Sequence, residues 1–265
     1  MNSILAVIKR YPVAWFCGLT VAMSFAAYLL PVPREVLPFL IVLVPALVSI
    51  ALARVTDGRG GIRALLGKLV QWRVSLKWVA ITLALALAMR LTMSVIALAL
   101  GWITAIQLRP LSAPQLVMLA LILLISAIPE ELGWRGFALP RLLRHQSVLV
   151  ASLVIGAAWG SLHLSLLLPG MMNEGTPALS TVIEVVCVSV LSTWLFINTR
   201  GSLIIATLFH AAQSFFVIVN EGIAQAQQTW LMAGVYAAFA IAIVIIARRD
   251  FLPTNVHSPV SSLIS

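Results

Sequence analysis

Long apolar stretches recur along the whole chain and constrain its fold more than any other feature. A helix needs about 17–25 mostly apolar residues to cross the hydrocarbon core of a bilayer. The first stretch is also too long to be the apolar part of a cleaved signal peptide. The pattern predicts an all-α, polytopic transmembrane helix bundle with about eight spans, at residues 13–30, 36–53, 78–100, 116–139, 147–168, 179–197, 202–220 and 229–247.

Charged residues are too few to cover a soluble globule of this size. Only 9% of the 265 residues are charged and 62% are hydrophobic, whereas a soluble protein averages about 25% charged residues. This composition excludes a soluble enzyme, a disordered chain and a fibre. Cys17 and Cys187 lie inside apolar stretches, so they predict neither a disulfide framework nor a metal-binding pair.

The positive charges are distributed unevenly between the predicted loops. Lys9 and Arg10 precede the first span, and 14 of the 17 Lys and Arg residues fall on that same side of the eight spans. Arg34 and Arg109 fall on the other side, and Arg90 lies inside the third span. Because cytoplasmic loops are enriched in Lys and Arg, the chain is predicted to lie in the plasma or inner membrane with both termini in the cytoplasm.

The net charge of +9 has the same explanation. Basic residues of a membrane protein face anionic lipid headgroups, and the sequence has no basic and aromatic patch typical of nucleic-acid-binding modules. Anionic membrane lipids are therefore expected partners, and nucleic acid is not.

The segment 54–77 differs from the other predicted loops. Residues 57–61 read Asp-Gly-Arg-Gly-Gly, which indicates a turn, and apolar residues then recur at helical spacing among Arg and Lys. This pattern favours a basic amphipathic helix on the inner leaflet; an ordinary charged loop is the alternative. The whole chain is predicted to form one transmembrane domain at 1–250, with a catalytic core at about 116–220 and a disordered tail at 251–265.

A few ionisable side chains lie inside the predicted spans, where burial is costly and a functional role is the first hypothesis. Two of them, Arg90 and Glu184, are expected either to pair with each other or to line a cavity. The full set comprises Arg90, Glu130, Glu131, Arg135, His163, Glu184 and His210.

Glu130, Glu131 and Arg135 form the most informative cluster. Glu131 and Arg135 are four residues apart, so they share a helix face and can form an ion pair. Glu130 lies about 100° around the helix from Glu131 and is expected to lack that partner. A carboxylate in such an apolar site suits general acid–base chemistry. The alternative is a helix end that emerges among lipid headgroups, where charges are routine.

Two later spans each contain a histidine with a polar or aromatic neighbour. Trp159 and His163 are four residues apart, and Gly156 and Gly160 have the small-xxx-small spacing that lets membrane helices pack closely. A lone histidine in such a helix can also be an interhelical hydrogen bonder, which is the alternative here.

His210 and Ser214 share one face of the seventh predicted span. Alone they could be packing contacts between helices. Together with the carboxylate and the other histidine, however, they supply the groups needed to activate water or to bind a metal.

In this order, the three motifs resemble the signature of the CPBP family of intramembrane proteases, also called the CAAX-processing and bacteriocin-immunity (Abi) family. The signature is Glu-Glu-x-x-x-Arg, then aromatic-x-x-x-His, then His-x-x-x-Asn or a similar motif. The chain matches at 130–135, 159–163 and 210–214. The resemblance extends over about 50–220 and includes the region of Trp72 before the third span.

The resemblance implies a role for each matching residue. Glu130 and His163 would activate a water for attack on a peptide carbonyl. His210 would hold the resulting oxyanion or ligate a metal. Glu131 and Arg135 would support the site or contact the substrate.

Two positions depart from the family pattern. Ser214 stands where the family often has Asn; in the catalytic site serine can still donate a hydrogen bond, but with a shorter reach. Trp159 stands where Phe is common, and we expect it to be tolerated as a supporting aromatic residue.

The resemblance leaves the metal open. Glu130, His163 and His210 are the candidate ligands if the site holds zinc, although they lack the His-Glu-x-x-His spacing that places ligands on one helix. A glutamate-based hydrolase that needs no metal fits the same residues.

Three functions are compatible with these features. The first is a CAAX-prenyl-protease-like intramembrane endopeptidase that cleaves a peptide or lipidated-peptide substrate near the cytoplasmic side of the membrane. The second is a non-catalytic membrane binder, such as an immunity factor against a bacteriocin or another peptide toxin. The third is a small proton-relaying transporter, but the two halves of the sequence have no evident inverted repeat.

Overall fold

The computed structural model describes residues 2–71, 74–219 and 223–251, and within these ranges the chain is helical and contains no β-strand. Helices occupy every predicted span, because a helix satisfies its backbone hydrogen bonds internally in an apolar environment. The helices are α1 (Asn2–Arg10), α2 (Pro12–Ala27), α3 (Leu37–Ile41), α4 (Val44–Gly67), α5 (Leu76–Ala99), α6 (Ala113–Glu131), α7 (Leu139–Leu142), α8 (Val148–His163), α9 (Ala178–Asn198), α10 (Leu203–Phe215), α11 (Gln225–Ile246) and α12 (Arg248–Phe251).

Fewer than eight helices of the described residues have the length and composition of a membrane span. Six helical segments of the described residues are long and apolar enough to cross a bilayer, and a seventh is added if α1 and α2 form one broken span. These two helices meet at 101° at Tyr11, which leaves the helical region as the residue before a proline tends to do. The remaining apolar helix, Leu203–Val219, is shorter. The polytopic helical bundle is confirmed, but the count of eight spans is not.

The segment predicted as a basic amphipathic helix continues α4. Helix α4 runs to Gly67 and a 3₁₀ turn extends it to Val70. The helix breaks at Gly58, whose φ of 69° and ψ of −154° suit glycine because it has no Cβ. The turn expected at residues 57–61 corresponds to the break at Gly58, and the helix predicted after it is confirmed. The position of this helix on the membrane surface stays a prediction. Trp72 and Arg73 lie outside the described residues.

The predicted C-terminal tail falls mostly on residues that the structure does not describe. Phe251, its first residue, ends α12 and is 5% exposed, so this residue belongs to the bundle. Residues 252–265 lie outside the described ranges.

Helices α8 and α9 pack closely because two glycines lie at their contact. A Cβ atom added at Gly156 would lie 2.7 Å from Val186 Cα, and one added at Gly160 would lie 3.3 Å from Val182 Cα. The small-xxx-small pattern is therefore confirmed as a helix contact. This close approach holds the end of α8 that carries His163 near α9.

One end of the bundle carries most of the positive charge and is named the basic end. Arg141 pairs with Asp57 at 2.5 Å, and Lys68 Nζ donates to the Gly136 carbonyl oxygen at 2.7 Å. Helices α7 and α12 both pack against α8 here. The described Lys and Arg residues of this end are Lys9, Arg10, Arg54, Arg59, Arg63, Lys68, Lys77, Arg141, Arg144, Arg200, Arg248 and Arg249.

The other end of the bundle is named the far end and is poor in positive charge. Arg34 and Arg109 are its described Lys and Arg residues. Hydrogen bonds join its loops, from Tyr28 to Pro169, from Arg109 to Ile218 and from Gln225 to Thr176. Because α2 ends and α11 begins at the far end, the first and last described helices lie at the basic end.

Candidate active site

The Glu-Glu-x-x-x-Arg motif lies where α6 changes its helical geometry. The helix continues beyond α6 with π-helical turns over Leu132–Ala138, and such turns occur frequently at functional sites. Glu130 is 4% exposed, and both Glu131 and Arg135 are 0% exposed. The alternative interpretation, a helix end among lipid headgroups, is therefore wrong.

Glu131 is shared by two partners. Its Oε1 accepts hydrogen bonds from Arg135 Nη1 at 3.1 Å and from His210 Nδ1 at 3.0 Å. The ion pair expected from the four-residue spacing is present. No spacing rule predicts the bond to His210, because it joins α6 to α10 across 79 residues of sequence.

Glu130 has a partner that the sequence does not predict. Its Oε2 accepts a hydrogen bond from the Trp159 indole Nε1 at 2.5 Å. The expectation that Glu130 lies unpaired in an apolar site is therefore wrong. Its other oxygen, Oε1, makes no hydrogen bond to the described residues and is the atom left for a water molecule.

Trp159 lies at the centre of the candidate site. Its ring centroid is 5.7 Å from that of His163 and 5.1 Å from that of His210, and the Arg135 guanidinium carbon lies 4.8 Å from it. One indole therefore contacts both imidazoles, the arginine and Glu130. Because Trp159 is 2% exposed, close packing fixes its position.

Both histidines are oriented through Nδ1. His163 Nδ1 lies 3.0 Å from the Trp159 carbonyl oxygen, and His210 Nδ1 lies 3.0 Å from the Glu131 carboxylate. Carbonyl and carboxylate oxygens accept hydrogen bonds, so Nδ1 carries the proton in each ring. Nε2 of each ring makes no hydrogen bond to the described residues and is available to a substrate or to water.

Ser214 belongs to a chain of polar groups on α10 and α11. Gln213 Nε2 donates to Ser214 Oγ at 3.0 Å, and the Tyr236 hydroxyl donates to Gln213 Oε1 at 3.2 Å. Gln213 is a candidate site residue that the sequence interpretation missed. The signal was a polar side chain inside an apolar span, next to Ser214.

These helices enclose a cavity of about 500 Å³. Four of the predicted site residues, Trp159, His163, His210 and Ser214, lie on its wall. The residues of the Glu-Glu-x-x-x-Arg motif do not line it; they lie behind the Trp159 and His210 side chains that contact them. The structure thus brings all three motifs together, with the carboxylates one layer behind the wall.

Arg90 and Glu184 line the same cavity. Of the two expectations for these residues, lining a cavity is confirmed, whereas no ion pair within 4.0 Å joins them. Arg90 is 1% exposed and donates from Nε and Nη2 to the Gln213 carbonyl oxygen at 3.2 and 3.0 Å. It therefore ties α5 to the end of α10 as well as placing a positive charge on the cavity wall.

The candidate metal ligands do not form a metal-binding group. Among the residues that the structure describes, no three His, Cys, Asp or Glu side chains lie close enough together to hold an ion. Catalytic zinc sites have three protein ligands. Here Glu130 is bonded to Trp159, and the indole ring contacts both His163 and His210. Among the described residues, the arrangement does not fit zinc.

The cavity opens toward the far end of the bundle. Residues at the far end line it, namely Arg109, Asn173 and Thr176 of the loops and Gln225 at the start of α11, and the basic-end Lys and Arg residues do not. The terminal helices lie at the basic end.

Comparison with known families agrees with the motifs. Residues 112–216 match the family described as type II CAAX prenyl endopeptidase, Rce1-like. The match contains all three motifs and runs from the start of α6 to the end of α10. Over these residues the chain is similar to the family of CAAX prenyl endopeptidases. The long apolar helices identify the chain as an integral membrane protein.

A curated relative is the protein named CAAX prenyl protease 2 of the archaeon Methanococcus maripaludis. The two are 30% identical over 139 residues, which cover 49% of this chain and 50% of the relative. The match thus spans about half the length of that protein. The first part of the region over which the sequence resembles the family, residues 50–111, lies outside the family match.

Proposed function

We propose that the chain is a CAAX-prenyl-protease-like intramembrane endopeptidase that hydrolyses a peptide bond with water activated by Glu130 and His163. The observation that supports this most is the convergence of Glu130, His163 and His210 around Trp159, with Trp159 and the two histidines on the wall of one cavity and Glu130 directly behind it. Peptide hydrolysis needs a base near the water and a donor near the developing oxyanion. Separate helices supply these groups here.

In the proposed reaction, Glu130 Oε1 takes a proton from water while the water oxygen attacks the peptide carbonyl carbon. The carbonyl bond electrons move to its oxygen and form a tetrahedral oxyanion. When this collapses, the C–N bond breaks and the proton passes from Glu130 to the leaving nitrogen. The products are a carboxylic acid, which keeps the second proton of the water, and an amine; transfer of that proton to the amine gives a carboxylate and an ammonium group. His163 Nε2 accepts a hydrogen bond from the same water and orients it.

His210 and Ser214 are proposed to stabilise the oxyanion. Glu131 holds His210 through Nδ1, so Nε2 faces the cavity and donates when the ring carries both protons. Gln213 Nε2 donates to Ser214 Oγ, which leaves the hydroxyl proton of Ser214 for the oxyanion. Donors held in place before the reaction need no reorganisation when charge develops. Arg135 acts through Glu131, which it holds from the other side.

The proposed substrate is a peptide or a lipidated peptide. A cavity of about 500 Å³ is in the usual range for small-molecule sites, so it suits a short extended segment rather than a folded domain. A prenylated substrate is also proposed, because the archaeal relative is named a CAAX prenyl protease. Both termini are proposed to be cytoplasmic, with the basic end against anionic lipids.

A non-catalytic membrane binder, such as an immunity factor against a bacteriocin or another peptide toxin, is the second candidate. The observation that favours it is the position of Glu130, which is bonded to Trp159 and does not line the cavity. On this alternative, Glu130→Gln and His163→Ala leave the phenotype unchanged.

Peptide cleavage by the purified full chain separates the two candidates. Glu130→Gln keeps an oxygen that accepts the Trp159 hydrogen bond, so this variant is expected to fold but to lose the base. We expect its cleavage rate to fall by about 10²–10⁴-fold, the usual contribution of a general base. Glu35→Gln, at an exposed far-end glutamate, is the matched control and keeps the wild-type rate.

The same assay decides the metal question. A rate that a chelator leaves unchanged supports a glutamate-based reaction, and a rate that zinc restores after chelation contradicts it. Full activity of Glu130→Gln contradicts the peptidase proposal itself and favours the binder.

A further inference from the structure

We propose that the basic end of the bundle binds one anionic phospholipid, with its phosphate among Lys68, Arg141 and Arg144 and one acyl chain in an apolar groove along α6 and α10. This binding site is separate from the cavity of the candidate active site. It does not depend on the proposed peptidase function and can be tested without catalysis.

Three cations of the basic end lie close together. Arg141 and Arg144 are near enough to Lys68 to repel its charge, and they repel each other. Among the described residues, Asp57 is the acid that pairs with this cluster, through Arg141 at 2.5 Å. One carboxylate therefore faces three positive charges, and two of these charges are left for an anion.

The cluster has N–H donors that the fold does not use. Lys68 Nζ uses one of its three protons in the 2.7 Å hydrogen bond to the Gly136 carbonyl oxygen. Arg144 is exposed and makes no hydrogen bond or ion pair to the described residues. Lysine and arginine bind phosphate oxygens through charge-assisted hydrogen bonds, so these donors suit a phosphate group.

An apolar groove runs along α10 between its neighbours α5 and α6. The part nearest the basic end has a volume of about 380 Å³ and is lined by Leu69 and by residues of α6 and α10. A second part of about 190 Å³ adds a wall from α5, and the two parts share Leu124 and Leu208. Except for Thr207, every residue that lines the groove is apolar.

The mouth of the groove lies beside the cation cluster. Lys68 directly precedes Leu69, which lines the groove. Lys68 also binds the carbonyl oxygen of Gly136, and a Cβ atom added at Gly136 would lie 3.6 Å from Cδ1 of Leu203 on the groove wall. A phosphate at the cluster is therefore adjacent to the start of an apolar channel.

The groove has the length of an acyl chain of one leaflet. From Leu203 to Phe215, which both line it, α10 rises about 18 Å at 1.5 Å per residue. One leaflet contributes about 15 Å, half of the roughly 30 Å hydrocarbon core. Basic pockets between membrane helices bind anionic lipid headgroups. The cluster and the groove together thus match a phospholipid rather than a free anion or an uncharged lipid.

The lipid would contact the two helices that carry the candidate catalytic residues. Helices α6 and α10 are joined by the 3.0 Å hydrogen bond between Glu131 and His210, and both contribute walls to the groove. A ligand that binds only the folded protein raises its stability. We therefore expect the bound lipid to stabilise the packing of α6 against α10.

Lipid binding to the purified full chain in detergent tests the headgroup site. Phosphatidylglycerol, phosphatidylcholine with the same acyl chains, and inorganic phosphate are added separately, and native mass spectrometry and thermal unfolding are measured. We expect one phosphatidylglycerol to bind about tenfold more tightly than phosphatidylcholine and to raise the unfolding temperature. Equal binding of the two lipids overturns the proposal, as does equal stabilisation by inorganic phosphate, which would indicate a free-anion site.

A matched pair of charge variants separates the cluster from general attraction to the basic end. Arg144→Gln and Arg63→Gln each remove one positive charge from an exposed side chain. We expect Arg144→Gln to weaken phosphatidylglycerol binding about fivefold, while Arg63→Gln keeps the wild-type affinity. Equal affinities of the two variants contradict a phosphate site at the cluster.

A second pair tests the groove. Leu124→Trp fills it, whereas Leu121→Trp changes a 50% exposed residue of the same helix that does not line it. We expect the first variant to lose the bound phosphatidylglycerol and the second to retain it. If Leu124→Trp does not fold, Ile128→Trp, at a 39% exposed position on the same wall, replaces it. Retained binding in the filled variant, or tighter binding of uncharged farnesol than of phosphatidylglycerol to the wild type, overturns the proposal.

Discussion

The Trp159 indole N–H donates to Glu130 Oε2 at 2.5 Å, so the residue that replaces a phenylalanine common in the family holds the proposed base. A phenyl ring has no such donor. The bond joins α8 to α6 and satisfies one oxygen of a carboxylate that is 4% exposed. Trp159 therefore holds one oxygen of Glu130, the proposed base, in place.

Replacement of Trp159 by phenylalanine is expected to destabilise the fold by about 1–3 kcal/mol, the cost of a buried acceptor that loses its donor. Denaturant unfolding of the purified chain in detergent measures this. Trp230→Phe, at a tryptophan that is 47% exposed, is the control and changes stability little. Equal stability of both variants and wild type would show that the indole hydrogen bond contributes nothing.

Removal of Glu131 is expected to be more damaging than removal of a surface acid. Glu131→Ala leaves the fully buried Arg135 without its ion pair and frees His210, so we expect a loss of about 3–5 kcal/mol. The exposed pair of Asp57 and Arg141 is the comparison, and Asp57→Ala is expected to cost no more than about 1 kcal/mol. Unfolding transitions of both variants check the ranking, which equal losses contradict.

A methyl group at Gly156 is expected to separate α8 from α9. The new Cβ would lie 2.7 Å from Val186 Cα, a backbone atom that cannot move aside locally, so Gly156→Ala should cost about 1–3 kcal/mol through overpacking. Gly18 has no atom within 4 Å of such a Cβ, and Gly18→Ala should be neutral or slightly stabilising. Thermal unfolding of the two variants gives the comparison; a neutral Gly156→Ala would show that the helices are not in close contact.

How far the sequence predicts this structure depends on how local each feature is. The bond between Glu131 and Arg135 follows from their spacing on one helix. The bonds from Glu130 to Trp159 and from Glu131 to His210 join different helices, so they depend on how the helices pack. Spacing within one helix therefore identifies the candidate residues but leaves their partners undetermined.

The position of the cavity along the bundle also depends on packing between helices. The positive-charge pattern predicts that both termini lie in the cytoplasm, and this stays a prediction. Which half of the bundle contains the cavity depends on how the helices pack against one another. No residue pattern within one helix contains that information.

Ser214 provides a test of the oxyanion proposal. Ser214→Ala removes the hydroxyl that Gln213 orients, and we expect kcat to fall by about 10²–10³-fold, as for a lost oxyanion donor, with KM nearly unchanged. Ser214→Asn restores a donor of the type common in the family and should recover most of the rate. A change in KM without a change in kcat would assign Ser214 to substrate binding instead.

The central claim is that Glu130 activates water for direct attack on a peptide bond, and cleavage in water enriched in oxygen-18 tests it most directly. Mass spectrometry of the product made by the wild-type chain should find one oxygen-18 atom in the new carboxyl group. Glu130→Gln should form this product about 10²–10⁴-fold more slowly, while Glu35→Gln matches the wild type. Labelled product formed at the wild-type rate by Glu130→Gln would contradict the account.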